Sequence, residues 1–552
     1  MTYQQKLEKL MKHIHNSGLW VNTHADIILG DYVEMTADTN KKINMAFPRE
    51  QNYCSSMVYT ILSSLQKPKG SLLYTGGCGN GKTSLAQFIG HFLFSDIKIS
   101  YREYVKEGFK NKRESLMEKL VAVSKIPEEI CKDTPEVKEL VNEYIRDLVN
   151  EYKEIKEANS KEKLAEKYAN LDEIKRAKIQ CHPEQTEEKM VARLNTGKLV
   201  KHGLEDVMAR SFIDCPVHIL DEVNRLPPDK EDILYGMLDT GEVKYMDELL
   251  VLADGPIFGT RNYNDEGNFP MAPPFLDRWE LSVKVPAPNA QDLEFITNEE
   301  DSREALRERL NIPEELKLTA EDREKIWQEI KKMPFTKDAR NFIHYFASQV
   351  NFCMNAASPS YNACAPAFMN KGSCERKKPD AICKDCHYHT TRGDSICKLT
   401  KNEVSVRSIK ATYKYARALA WLAGRKEVDV EIVKNVLPYT VGHKLEQTRA
   451  VASEHPNENF ENDSAAFVRM LVKKTDKFFG EAREIFKSWG SIVNAYEKVI
   501  KGEMKPEDLV DKVTVHGMAE MAQFDDPVKY SIACWLQRIY HFAVNKYDLG
   551  KK

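Results

Sequence analysis

The stretch SLLYTGGCGNGKTSLAQFIGHFLF, residues 71–94, leaves few folds open to the chain. An apolar run of strand length, 71–75, passes through G-x-x-x-x-G-K-T, Gly76 to Thr83, into an apolar-faced run of helical length. Strand, glycine loop and helix in that order build an anion cradle. The glycines let backbone N–H groups wrap phosphates, and the helix N-terminus adds positive potential. Gly76, Gly77, Cys78, Gly79, Asn80, Gly81, Lys82, Thr83 and Ser84 are the expected nucleotide-binding residues. Lys82 would reach the β- and γ-phosphates, and the Thr83 hydroxyl would ligate Mg²⁺.

Further apolar runs, AKIQC (177–181), PVHIL (216–220), PIFGT (256–260) and ELSVKV (280–285), read as buried parallel strands of an α/β sheet. VHILDE ends in two acids, Asp221 and Glu222. Beside a phosphate loop, one carboxylate can hold Mg²⁺ and its waters while the other polarises an attacking water. The pair points to hydrolysis rather than nucleotide binding alone.

A chain of 552 residues is too long for one core, so two to four domains are expected. With 42% hydrophobic and 30% charged residues it reads as globular, and a net charge of -3 supplies no overall drive toward nucleic acid or anionic membrane. No run of 18 apolar residues is present, so no membrane span is expected. The N-terminal MTYQQKLEKLMKHIHN puts Leu7, Leu10, Met11 and Ile14 on one helical face and lacks the features of a secretory signal. Twelve cysteines in such a chain suit thiols or metal ligands better than disulfides, and a cytoplasmic location is expected.

Four regions follow: an N-terminal helical region, 1–66; a phosphate-loop core, 67–286; a helical lid, 287–445; and a C-terminal helical region, 446–552. The core is interrupted at about 101–176 by a charged segment in which Leu140, Tyr144, Leu148, Tyr152 and Ile155 recur at helical spacing. It reads as an inserted helical hairpin, a spacer or a docking surface for a partner. In the lid, 404–445 reads as a long helix, a stop at Gly424 and a second helix opening at Val428–Asp429. The polar stretch 446–464 is a candidate linker, and Phe467, Leu471, Phe478, Trp489 and Trp535 are candidate core beyond it.

LDEVNRLPPDKEDILYGMLDTGEV, GPIFGTRN and PPFLDRWEL, with the 404–445 stretch, resemble the MoxR-type AAA+ ATPases of the helix-2-insert clade, relatives of the magnesium-chelatase ATPase subunit. The likeness covers about 67–100, 177–350 and 400–445, and leaves out the charged insert, the cysteine cluster and both ends. It implies an αβα core with a parallel sheet and a helical lid, binding ATP and Mg²⁺ and working as a ring, a hexamer. It implies Asn262 as the sensor that positions water, Arg278 as the finger for a neighbour's γ-phosphate, and Arg407 as a second sensor contacting phosphate from the lid. It makes 178–207 the substrate-facing helix-2 insert. The client would be a partner protein to be remodelled, matured or loaded with metal, carrying a von Willebrand factor A domain by family analogy. Two positions depart from the family: Cys78 stands where proline is common in the loop, and Val406 replaces a proline before the lid arginine.

CERKKPDAICKDCHYHTTRGDSIC, residues 374–397, gathers four cysteines and two histidines in 24 positions. Cys374, Cys383, Cys386 and Cys397 have the number and chemistry of a tetrahedral zinc site, with an iron–sulfur cluster second and unliganded thiols third. Cys353, Cys364, His387 and His389 are alternative ligands. CKDCH also fits a c-type haem attachment pattern, in the wrong setting. The cluster sits in an insert of the lid, about 353–399, as a structural knob or docking module. A nucleic-acid motor, with Arg376, Lys377, Lys378 and Lys384 on phosphates, is the alternative function; a nucleotide-gated scaffold without turnover conflicts with the Asp221–Glu222 pair.

Overall fold

The computed structural model describes residues 1–16, 55–94, 98–100, 172–194 except 175, 207–263, 267–285, 312–351, 395–455, 460 and 463–509, with a few positions between. Its strands are β1 (Ser71–Gly76), β2 (Lys98–Ser100), β3 (Asp172–Ile174), β4 (Arg176–Gln180), β5 (Ala192–Leu194), β6 (Val207–Ala209), β7 (Val217–Asp221), β8 (Glu242–Tyr245), β9 (Glu248–Val251), β10 (Ile257–Asn262) and β11 (Leu281–Lys284).

Five of them form one sheet in the order β11-β1-β10-β7-β4, and every neighbouring pair is parallel. Alternation sends successive side chains to opposite faces. Leu72, Tyr74, Val217, Ile219, Phe258, Leu281 and Val283 join a core with the helices Ser55–Ser64 and Lys82–Leu93. Leu73, Ile179, Leu220 and Ile257 join a second core with Phe275, Trp279 and the helix Pro228–Asp239. Gly259, mid-strand in β10, is needed for this packing: a Cβ there would meet the Trp279 ring at 2.4 Å.

The two ends of the charged insert meet in a separate two-stranded sheet. Lys98–Ser100 pairs antiparallel with Asp172–Ile174 as a two-stranded ribbon. Positions 142–147 of the insert are helical.

The lid comprises the helices Ala320–Lys332, Lys337–Asn351, Val406–Leu422 and Val430–Val441. The Ser405 hydroxyl caps the third and the Asp429 carboxylate the fourth, while Gly424 takes a φ of +66° between them. The lid packs against the amino ends of β1 and β11. Lys414 donates to the Lys69 carbonyl at 2.6 Å and to Glu280 at 2.7 Å, and the Tyr415 hydroxyl donates to Glu280 at 2.9 Å.

The helix that follows the polar stretch packs on the lid. Asp463 caps a 37-residue helix, Ser464–Ile500, whose Phe467, Val468, Leu471 and Phe479 share the lid's core. The Phe342 and Phe479 rings meet edge-on at 4.9 Å. Phe478 is only partly buried beside Phe479, and Trp535 lies outside the described residues. The N-terminal helix Tyr3–Asn16 buries Leu7, Leu10, Met11 and Ile14 in the same core. No helix among the described residues is long and apolar enough to cross a membrane.

Candidate nucleotide site

Because the five strands are parallel, Gly76, Gln180, Asp221, Asn262 and Lys284 end along one edge of the sheet. The phosphate loop lies on that edge. Gly79 and Gly81 both have positive φ, +79° and +78°, which residues bearing a Cβ rarely adopt. Asn80 donates to the Val285 carbonyl at 3.2 Å and so ties the loop to the end of β11. Lys82 donates to the Gly76 and Gly77 carbonyls at 3.1 and 2.6 Å, which sets its ammonium over the loop. Burial lowers its pKa, although Cys78, Asp221 and Glu222 oppose that. Cys78 and Ser84 are exposed.

Thr83 and Asp221 meet directly, hydroxyl to carboxylate, at 2.6 Å. Thr260 donates to the same Asp221 oxygen at 2.7 Å, and the Lys178 ammonium lies 2.6 Å from the other. Burial alone would raise the Asp221 pKa, but Lys178, Thr83 and Thr260 outweigh it and hold the acid ionised below the usual range. A hydroxyl and an ionised carboxylate in contact are a donor set that suits Mg²⁺. The loop, Lys82 and this pair therefore fit a magnesium nucleotide.

Glu222, the next residue, has a φ of +56°, an uncommon conformation for glutamate. Its N–H donates to the Thr260 hydroxyl at 2.8 Å. Its carboxylate accepts from Gln180 at 2.8 Å and Asn262 at 3.0 Å, and Arg225 Nε lies 3.1 Å away. Asn262 is itself bracketed by the buried Asn224, whose amide donates to the Asn262 carbonyl at 3.0 Å and accepts its N–H at 3.4 Å. The structure thus brings Lys82, Thr83, Asp221, Glu222 and Asn262 into one site.

Arg278 and Arg407 are elsewhere. The Glu280 N–H donates to the Ser71 hydroxyl at 2.9 Å, which sets this segment at the amino end of β1, across the sheet from Gly76. Arg278 ion-pairs with Asp239 at 2.9 Å and stacks on the Tyr235 ring, 3.8 Å from its centroid. Arg407 reaches the same Asp239 at 3.1 Å and Asp277 at 3.2 Å. The two arginines thus share one carboxylate, and the own phosphate loop lies a strand's length away. Glu231, buried in the helix Pro228–Asp239, accepts the Ala272 N–H at 3.3 Å and anchors the short helix that ends in Arg278. Burial pushes its pKa up to about 7.

Of the cysteine cluster, only Cys397 is described: it is buried on the short helix Cys397–Leu399. Cys374, Cys383 and Cys386, like Cys353, Cys364, His387 and His389, lie outside the described residues. Among the described residues no group of His, Cys, Asp and Glu gathers as a metal cage. In the expected helix-2 insert, Ala192–Leu194 pairs with Val207–Ala209 as an antiparallel ribbon after β4.

Lys178, Gln180, Asn224, Asp239, Thr260 and Asp277 carry no motif of their own. Two of them were signalled weakly by the alternation of β4, which sends Lys178 and Gln180 to one face.

Residues 396–463 match the AAA lid domain family. A crystal structure of a candidate ATPase from Cytophaga hutchinsonii is similar, with 12% identity and a TM-score of 0.47, covering 86% of this chain and 94% of that one. No curated protein matches the sequence. A phosphate loop on a parallel sheet, followed by a region matching the AAA lid, fits the α/β fold of an AAA+ ATPase.

Proposed function

We propose that the protein is a Mg²⁺-dependent ATPase working as a ring, a MoxR-like machine that remodels, matures or inserts metal into a partner protein. The observation that carries the ATPase reading is the single cluster of Lys82, Thr83, Asp221, Glu222 and Asn262 at the carboxyl ends of parallel strands. ATP would lie with its phosphates in the loop, Lys82 on the β- and γ-oxygens, and Mg²⁺ on Thr83 and the shell of Asp221. The bound Mg²⁺ would neutralise phosphate charge. Asn262 and Gln180 hold the Glu222 carboxylate where it can orient a water and take its proton as the water oxygen bonds to the γ-phosphorus and the bond to the bridging oxygen breaks.

The positions of the arginines support a ring. Developing charge on the transferred phosphoryl calls for fixed cations. Arg278 and Arg407 lie too far from their own loop to supply them, and both face one patch, so a neighbouring subunit's loop is their target. The client, including one with a von Willebrand factor A domain, is a reading from family resemblance alone. Zinc on Cys374, Cys383, Cys386 and Cys397 belongs to the same proposal, as a docking module on the lid. The decisive experiment is ATP turnover by the purified full chain: Mg²⁺-dependent phosphate release that Lys82→Ala abolishes supports the reading. Nucleotide-independent behaviour, or no ATP binding, overturns it.

A further inference from the structure

The Lys178–Asp221 contact has no counterpart in the phosphate-loop motif. Asp221 Oδ1 already accepts two hydroxyls, from Thr83 and Thr260. Oδ2 is held at 2.6 Å by the Lys178 ammonium, which comes from the neighbouring strand β4. This is the carboxylate that a magnesium nucleotide would need. Resting on the nucleotide reading above, we propose that Lys178 is a built-in counter-ion that competes with a divalent cation for the Asp221 carboxylate, so that metal settles there only as the lysine withdraws.

The physical reason is charge. A divalent ion beside Asp221 would stand within about 4 Å of an ammonium on the same carboxylate, and like charges at that distance repel strongly even in a polar setting. One of the two cations has to withdraw. The Asp221 side chain is 9% exposed and held by hydroxyls, whereas that of Lys178 is 38% exposed on a flexible stem, so the lysine is the group that can move into water. Nor is Lys178 needed as the loop's phosphate lysine, because Lys82 already occupies that place over Gly76 and Gly77. β4 also grips the second acid, through Gln180 on Glu222, and leads directly into residues 181–194.

A permanently structural salt bridge predicts the opposite sign, since removing it would slacken Asp221 and weaken metal binding. The test is a titration of free Mg²⁺ against binding of a fluorescent methylanthraniloyl-ATP to the full chain. Lys178→Met is expected to lower the Mg²⁺ midpoint about five-fold, the factor that losing a partly exposed ion pair corresponds to. Its nucleotide affinity in excess EDTA should stay at the wild-type value, and Lys178→Arg should keep the wild-type midpoint. Should Lys178→Met fail to fold, Lys178→Gln removes the charge more gently and should show the same shift. An unshifted or raised midpoint in the neutral variants, against a normal wild-type curve, overturns the counter-ion alone. A wild-type protein that binds no nucleotide at any Mg²⁺ concentration overturns the nucleotide reading with it.

Discussion

The most informative perturbation is to inactivate the two ends of the sheet in different subunits and mix them. Glu280 pairs with Ser71, so Arg278 starts at or below the amino end of β1, and Gly76 is five residue steps away. At about 3.3 Å per step the separation is roughly 17 Å. An arginine side chain spans roughly 7 Å from its Cα by covalent geometry, and that of Arg278 is already committed to Asp239. Arg407 is tied to the same carboxylate and faces the same gap. Both Arg278→Ala and Arg407→Ala should therefore lose turnover by about 10³-fold or more while still binding ATP. Lys82→Ala should be inactive for lack of phosphate binding. Mixed one to one with either arginine variant, Lys82→Ala should restore activity, because an intact pocket then meets an intact arginine at about a quarter of the interfaces of a randomly assembled ring. The assay is phosphate release from differently tagged subunits shown to co-purify. Co-purification with no recovered turnover would refute the trans arrangement and place the arginine within the same chain.

Three further expectations concern single elements. Glu222→Gln should bind ATP and hydrolyse it at least a hundred-fold more slowly if Glu222 takes the water's proton as proposed; phosphate release near the wild-type rate would remove Glu222 from that role. Burial would raise the Glu280 pKa, but Lys414, Tyr415 and Ser71 hold it below the usual carboxylate range. Its stabilising contribution is thus present above the ordinary glutamate value of about 4.3 and is lost as pH falls through the lower folded value. Glu280→Gln should cost about 2–3 kcal/mol at pH 7, less than a fully buried pair because the two side chains are 26% and 24% exposed. Denaturant unfolding should show that difference narrowing below about pH 4; equal stability at pH 7 would mean the lid seam contributes nothing. Elemental analysis should find about one zinc per chain, lost on replacing Cys383 and Cys386 by Ser, with basal ATPase largely retained. Iron with a visible chromophore, or a metal-free folded protein, would contradict it.

Elements whose chemistry is local can be read along the chain. Glycines that take positive φ, a lysine and a threonine at the loop's offsets, and an apolar strand ending in two acids mark the parts of the candidate nucleotide site one by one. The same holds for the lid helices, where Ser405, Gly424 and Asp429 act on their own backbone within a turn. Strand spans were legible too, because burial on both faces writes continuous apolar runs at 71–75, 216–220 and 256–260. What those elements meet depends on how the layers pack. Lys178 and Asp221 are 43 positions apart by their numbers, and neither residue type predicts the contact; parallel pairing of β4 with β7 makes it. The family resemblance implies Arg407 as a phosphate contact; which side chain it meets within the chain is set by the lid, which packs against the amino ends of β1 and β11 through Lys414, Tyr415 and Glu280 and carries Arg407 to Asp239. The polar stretch 446–464 looks like a linker, but the helix after it buries Phe467, Leu471 and Phe479 in the lid's own core. Caps, turns and strands depend on neighbours in the chain, which a sequence displays. Docking of one layer on another depends on the free energy of joint burial, which no single segment carries.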